Sequence, residues 1–249
     1  MKIVIPARFQ SSRLPGKPLA DIAGKPMIQH VWQRACEALR PGDEVIIAAD
    51  DERILAAAEA FGAVAVQTLG SHESGTDRIA EVSTLLDWAD DEIIINLQGD
   101  EPLMPPALVR LAGDALAVHT AAALATASCP IVTTEEVLDP NIVKVVSDSD
   151  GMALYFSRSP IPHDRDDIDM ARFAYQRHLG LYAYRASTLR RLADMPPSKL
   201  EVLEGLEQLR ALDAGLKIHV SIIADAPPHG IDTLADLEAV RRVMGPAYA

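Results

Sequence analysis

The chain of 249 residues carries 36 acidic against 23 basic side chains, a formal net charge of −13, with 49% hydrophobic residues and only 4% aromatic ones. That balance excludes a nucleic-acid or anionic-membrane surface, because such partners need a cationic footprint, and it supplies aliphatic material for one large α/β core. Cys36 and Cys129 match no metal-ligand spacing and fit ordinary thiols of a reducing compartment. After Lys2 only three apolar residues precede Pro6, and no apolar run approaches a membrane span, so a soluble, cytoplasmic protein is expected.

Ile3–Ile5 reads as a buried strand that empties into a loop carrying Arg8, Arg13 and Lys17. Ser11, Ser12, Pro15, Gly16 and Pro18 disfavour helix there, so the loop folds back and aims its cations and free N–H groups at one point. Concentrated positive charge of this kind suits a triphosphate; the alternative is a set of solvated cations balancing an acidic protein. The loop is not a Walker A motif, since no G-x-x-x-x-G-K-[ST] is present.

Short aliphatic runs then alternate with amphipathic stretches: helix Pro26–Leu39, strand Val45–Ala49, helix Asp51–Phe61, strand Val64–Thr68, helix Thr76–Trp88, strand Ile93–Leu97 and helix Pro105–Val118. This is the rhythm of a wound α/β sheet. Pro26 and Pro105–Pro106 sit where first turns tolerate proline, while Thr76 and Thr233 read as N-caps, Thr233 being followed three residues later by Asp236. Ala121–Ala127 reads as a buried strand or a close-packed helix turn.

From Ile142 the rhythm changes. Asn141–Val146, a turn at Ser147–Gly151 and Met152–Phe156 predict a β-hairpin, followed by the polar stretch Pro160–Arg172 and the apolar-alternating Leu179–Tyr184. Residues 142–175 are therefore expected to form an insertion that serves as a lid, a dimerisation surface, or both. A long helix at Lys199–Ala214, a strand at Ile218–Ala224 that rejoins the main sheet, and a last helix at Thr233–Met244 complete the chain.

Two acids stand at strand ends. Asp100, in Ile93-Ile94-Ile95-Asn96-Leu97-Gln98-Gly99-Asp100-Glu101, lies just past a buried strand, at the carboxyl edge where open α/β sheets bind ligands, and a carboxylate there suits magnesium. The alternative is a simple turn cap. Asp232 precedes the last helix, where an N-cap is the ordinary role; if the last strand lies near the Ile93 strand, Asp100 and Asp232 hold one metal between them.

In this order the segments resemble the 3-deoxy-manno-octulosonate (KDO) cytidylyltransferases, the CMP-KDO synthetases of bacterial lipopolysaccharide assembly. The resemblance runs over nearly the whole chain: Ile5–Leu19, Asp21–Met27, Ser74–Glu81, Gln98–Pro102, Asn141–Val146, Ala153–Arg158, Arg177–Arg185, Leu206–Leu212 and Gly230–Leu237. It implies a single Rossmann-like nucleotidyltransferase domain over residues 1–249, with a mixed, mostly parallel sheet, a homodimer, CTP and KDO as substrates, magnesium (Mg2+), and release of pyrophosphate. Carried over by motif, Arg8, Ser12, Arg13 and Lys17 bind the triphosphate, with Arg8, Arg13, Lys17 and Asp100 as the catalytic set, and Asp100 and Asp232 hold magnesium. Ser74, Gly75 and Arg78 fall beside the nucleotide; the alternative for Arg78 is an exposed i,i+3 pair with Glu81. Gln98, Arg158, His178, Tyr182, Glu207 and Gln208 fall on the sugar-binding positions; core packing for Tyr182, a satisfied histidine at His178 and a solvated helix face at Glu207 are the bland alternatives. The reaction implied is attack of the sugar's C2 hydroxyl on the α-phosphorus of CTP, with no general base named by the sequence. Rival readings are a cytidylyltransferase for sialic acid or 8-amino-KDO, and a non-catalytic sugar-nucleotide sensor on the same fold.

Overall fold

The computed structural model describes residues 1–11, 14–72 and 74–245. The aliphatic runs become strands because their β-branched side chains are buried on both faces of a sheet, and the amphipathic stretches between them become the covering helices. In chain order these are β1 (Lys2–Ala7), β2 (Asp21–Ile22), β3 (Lys25–Pro26), α1 (Met27–Glu37), β4 (Glu44–Ala49), α2 (Glu52–Ala60), β5 (Val64–Gln67), α3 (Gly75–Leu85), β6 (Ile93–Asn96), α4 (Pro106–Val118) and β7 (Leu124–Pro130). There follow α5 (Thr134–Leu138), β8 (Lys144–Ser147), β9 (Ala153–Ser157), β10 (Gln176–Arg185), α6 (Ala186–Ala193), α7 (Lys199–Glu204), α8 (Gln208–Asp213), β11 (Ile218–Ile222) and α9 (Leu234–Val243).

The main sheet has the order β11-β7-β10-β6-β1-β4-β5. β1 pairs in parallel with β4 and β6, β4 with β5, and β11 with β7, whereas β10 runs antiparallel to both of its neighbours. One face is packed by α1, α2 and α4 through residues such as Ile28, Val31, Ile54, Val109 and Leu116; the other is packed by α3, α6 and α8 through Ile79, Val82, Leu189 and Leu209. A smaller cluster, Ile22, Met27, Ile231, Leu237 and Val240, fastens α9 onto the β2–β3 ribbon.

Five helix starts, those of α2, α3, α5, α7 and α9, follow side-chain capping. Thr133 with Glu136, Ser198 with Glu201 and Thr233 with Asp236 form reciprocal capping boxes, so Thr233 caps the last helix as its spacing predicts. The cap of α3 differs from expectation: Ser74, not Thr76, is extended and accepts the Asp77 N–H at 3.1 Å. The expected long helix over Lys199–Ala214 is two short ones. Gly205 takes up φ 63°, ψ 42°, where a side chain is strained, and turns the chain between α7 and α8.

The predicted hairpin is present as β8–β9, with β8 also pairing to the start of β10. Lys144, which opens β8, has no exposed surface, and its ammonium donates to the carbonyl oxygens of Asp139, Ile142 and Arg158 at 2.9, 2.6 and 2.5 Å. Burial pushes its pKa down, yet three acceptors match the three N–H bonds of the charged form. The polar stretch that follows is anchored by Ile168 and Met170 packing on Ile131, Val137 and Tyr175. Lys144→Met keeps the length of the stem and orphans three buried carbonyls; it is expected to lower stability by about 3 kcal/mol, read as a reduced urea midpoint with an unchanged m-value.

Candidate active site

The chain leaves β1 and β6 at the same sheet edge, and their exits touch. A Cβ on Gly99 would lie 2.6 Å from the Pro6 carbonyl oxygen, so only glycine lets the β6 exit pass and carry Asp100 against the loop that follows β1. That loop folds back as its residue types predict. Gly16, at φ 67°, donates its N–H to the Phe9 carbonyl and Lys17 donates to that of Leu14. Phe9 is itself pinned: its N–H donates to Asp50 at 3.0 Å, and the Arg53 guanidinium lies 3.4 Å over its ring.

The fold-back places Lys17 Nζ 2.6 Å from Asp100 Oδ2 and 3.3 Å from Asp232 Oδ1. The two acids meet by a route other than the one expected. β11 is separated from β6 by two strands, and the connection after it returns along the edge, where the Ile231 N–H donates to the Asp100 carbonyl at 2.9 Å. Gly230 allows the approach, since a Cβ there would sit 2.9 Å from Glu101 Oε1. Burial and then the charge of Asp100 push Glu101 up to about 8. Among the described residues no group of three or more His, Cys, Asp or Glu side chains forms a closed metal cage. Two carboxylates converging on one cation, with the remaining positions open, is nevertheless a donor set that suits a hard divalent ion completed by phosphate oxygens and water.

Around this corner lie two cavities, of about 340 and 380 Å³. They share one wall made of Ser74, Gln98, Asp100 and Glu207. The first holds Arg8 and Lys17 at its cationic end and His72, Ser74 and Gly75 elsewhere on its lining; Gly75 lies against the Pro6 ring. Ser12 and Arg13, expected here, lie outside the described residues. Arg78 also lines this cavity but is 3% exposed, its guanidinium donating to Thr68 Oγ1, the Leu69 carbonyl and Asp50. The exposed pair with Glu81 is therefore absent. Glu81 instead accepts from the Leu69 N–H and pairs with His72 Nε2 at 2.6 Å.

The second cavity lies over the opposite side of that wall, lined by Gln98, His178, Tyr182, Glu207 and Gln208 of the expected set. Thr126 spends its one proton on the carbonyls of Leu179 and Leu181, so it accepts from His178 Nε2–H, leaving Nδ1 of that ring an acceptor. Burial pushes His178 down to about 3, and it also keeps the Tyr182 phenol protonated. Tyr182 Oη and Gln208 Nε2 are buried with no hydrogen-bond partner among the described residues. Arg158 departs from expectation. It lines neither cavity, and its guanidinium is taken up by the carbonyls of Glu204, Pro140 and Gly205.

Asn96, Tyr184 and His72 line the cavities without having been singled out in the sequence, and Thr76, read there only as a helix cap, lines the second cavity. For Asn96 a signal existed: it ends the apolar run Ile93–Ile95 and stands two residues before Gln98, hence on the same side of an extended chain.

A wound α/β sheet whose carboxyl edge carries a folded-back cationic loop, an acid pair and two adjoining cavities defines a nucleotidyltransferase. Residues 2–218 match the cytidylyltransferase family model. The chain is 52% identical to a 3-deoxy-manno-octulosonate cytidylyltransferase of Thioalkalivibrio sulfidiphilus, over 98% of each protein. It is 50% identical to the protein of that name from Vibrio vulnificus, over 97% of each. A solved CMP:2-keto-3-deoxy-manno-octonic acid synthetase complexed with CTP superposes with a TM-score of 0.89 at 47% identity, covering 97% of each chain. The chain belongs to the cytidylyltransferase family, on its 3-deoxy-manno-octulosonate branch. A cytidylyltransferase of Leptospira borgpetersenii, 16% identical with a TM-score of 0.62, shares the fold.

The Thr126 contact sets a spectroscopic expectation. The ¹⁵N signals of His178 should report a neutral ring protonated at Nε2 throughout pH 5–8, and a titration midpoint inside that range would contradict the buried, singly bonded imidazole.

Proposed function

We propose that the protein transfers CMP from CTP to 3-deoxy-manno-octulosonate, forming CMP-KDO and pyrophosphate for lipopolysaccharide synthesis. The observation that carries this reading is the shared wall: a cavity with cations at one end and a cavity of neutral donors and acceptors meet at Asp100. Two substrates bound on either side would have their reacting atoms at that junction.

Arg8, Arg13 and Lys17, with Ser12 beside them, hold the triphosphate and offset the charge that builds on the α-phosphate and the departing pyrophosphate. Ser74, Gly75 and Arg78 shape the nucleoside end, Arg78 by fixing the Thr68–Leu69 backbone against Asp50. Gln98, His178, Tyr182, Glu207 and Gln208 orient the sugar, with His178 Nδ1 accepting a hydroxyl. Arg158 contributes indirectly, by holding Gly205 at the cavity wall. The C2 oxygen bonds to the α-phosphorus as the bond from that phosphorus to the oxygen bridging to the β-phosphate breaks and pyrophosphate departs, and the hydroxyl proton passes to solvent water. Asp100 and Asp232 are the residues that would hold magnesium, which when bound supplies charge neutralisation at the phosphates and a lower pKa for the attacking hydroxyl.

Residues 142–175 are proposed to form the surface through which two copies pair. Exposed apolar side chains on and near this insertion, Val132, Leu138, Leu154 and Phe173, support that reading, as does the open edge of β9. Sedimentation should give a dimer that Leu154→Asp weakens; a wild-type monomer at micromolar concentration would remove this role. Use of CTP accords with a cytoplasmic setting, and no helix among the described residues is long and apolar enough to cross a membrane.

Purified protein with CTP, KDO and magnesium should release pyrophosphate, with UTP and sialic acid much poorer. Asp100→Asn and Lys17→Ala are each expected to cut kcat on the order of a hundred- to a thousand-fold with the melting transition preserved. Near-normal turnover in Asp100→Asn would take Asp100 out of the reaction, and absence of turnover with any acidic sugar would favour a sensor.

A further inference from the structure

Asn96 is 2% exposed, lines the second cavity, and its Oδ1 is buried without a hydrogen-bond partner among the described residues. It stands directly across the ladder from Tyr182, whose hydroxyl is likewise unpartnered. Its orientation follows from the groups around its amide nitrogen. Thr76 Oγ1 donates to Glu207 Oε2 at 3.0 Å. Burial pushes the pKa of the Tyr184 phenol up, and Thr76 and Asn96, within reach of it, act as donors that draw it down less strongly, so the amide nitrogen of Asn96 is the end turned to Tyr184. The other end of the amide, Oδ1, is what remains for the cavity.

An acceptor buried beside Ile94 and Leu124 is costly unless a ligand supplies a donor. The carboxylate of an acid sugar offers none, so the partner is a hydroxyl or an ammonium group. Position selects which. Asn96, Gln98 and Asp100 follow one another along the β6 exit, and an extended chain rises ~3.3 Å per residue, so Asn96 lies ~7 Å further from the reacting corner than Gln98.

We propose that Asn96 is a specificity-determining residue of the sugar cavity, its Oδ1 accepting a hydroxyl from the end of the sugar remote from the reacting carbon. Tyr184, which faces the amide nitrogen, is the positioning residue that turns it. The inference rests on the transferase reading above and adds the part of the substrate that the floor of the cavity recognises. For an eight-carbon acid that part is the C7–C8 tail.

The test is a cycle of two proteins and two sugars: wild type and Asn96→Leu, with KDO and with an analogue lacking the C7 and C8 hydroxyls. Wild type should prefer KDO in kcat/KM by about tenfold to a hundredfold. The variant should lose that factor on KDO, match wild type on the analogue, and keep the KM for CTP. Equal losses on both sugars would show a packing effect, and unchanged kcat/KM would show no contact; either overturns the assignment. If Asn96→Leu lacks a cooperative melt, Tyr184→Phe, which leaves Asn96 in place but removes the hydroxyl that orients it, is read in the same cycle by the same criteria. Failure of wild type to release pyrophosphate with CTP and either acid would instead bring down the transferase reading, and this assignment with it.

Discussion

Lys17 reaches Asp100 and Asp232 only because three separately folded corners are pressed together at one sheet edge. The pressing is done by backbone. Gly99 passes under the Pro6 carbonyl, Gly230 passes over Glu101, and the Ile231 N–H closes onto the Asp100 carbonyl. The two glycine contacts are too close for a Cβ, so the acid pair is placed by the absence of side chains as much as by their presence. The cationic loop, the shared wall and the two cavities all take their positions from this corner.

β10 has a comparable role on the other side. As the one strand of the seven that runs against the rest, it enters the sheet between β6 and β7 from the insertion and brings His178 and Tyr182 beside Asn96. A parallel strand there would need a further crossover. The sugar side of the site is thereby built on the middle of a sheet, where strands on both sides restrain its side chains. The first cavity is built mainly on loops leaving that sheet.

Polar groups are treated differently in the two regions. Lys144, Arg78, Arg158 and Arg210 are cations whose hydrogens are spent on protein carbonyls, hydroxyls or carboxylates, and they hold segments in place. Asn96, Tyr182 and Gln208 keep buried polar atoms without partners among the described residues. Leaving them so opposes folding, and the opposition is removed only by a ligand with matching donors and acceptors. Three of the unpartnered atoms thus lie on the second cavity, while Arg110 Nε, the fourth, lies away from both cavities on the α4 face.

Local patterns in the chain were enough for the wound α/β architecture, the hairpin at β8–β9, the Thr233 cap and the fold-back of the cationic loop, because periodicity, Gly and Pro positions and capping residues act over a few residues. Asp100 was visible as an acid just past a buried strand. Other outcomes depended on contacts between distant parts of the chain. Ser74 rather than Thr76 caps α3, Gly205 breaks a helix that its periodicity would continue, and Arg158 is drawn to the carbonyls of Glu204 and Gly205, away from the cavity. Asp232 meets Asp100 by a loop that recrosses the sheet edge, not by neighbouring strands. The sequence by itself determined which elements form and which residue types stand at their ends; only the tertiary structure decided which of those ends touch, because side-chain reach and burial are properties of packed surfaces that no local pattern encodes.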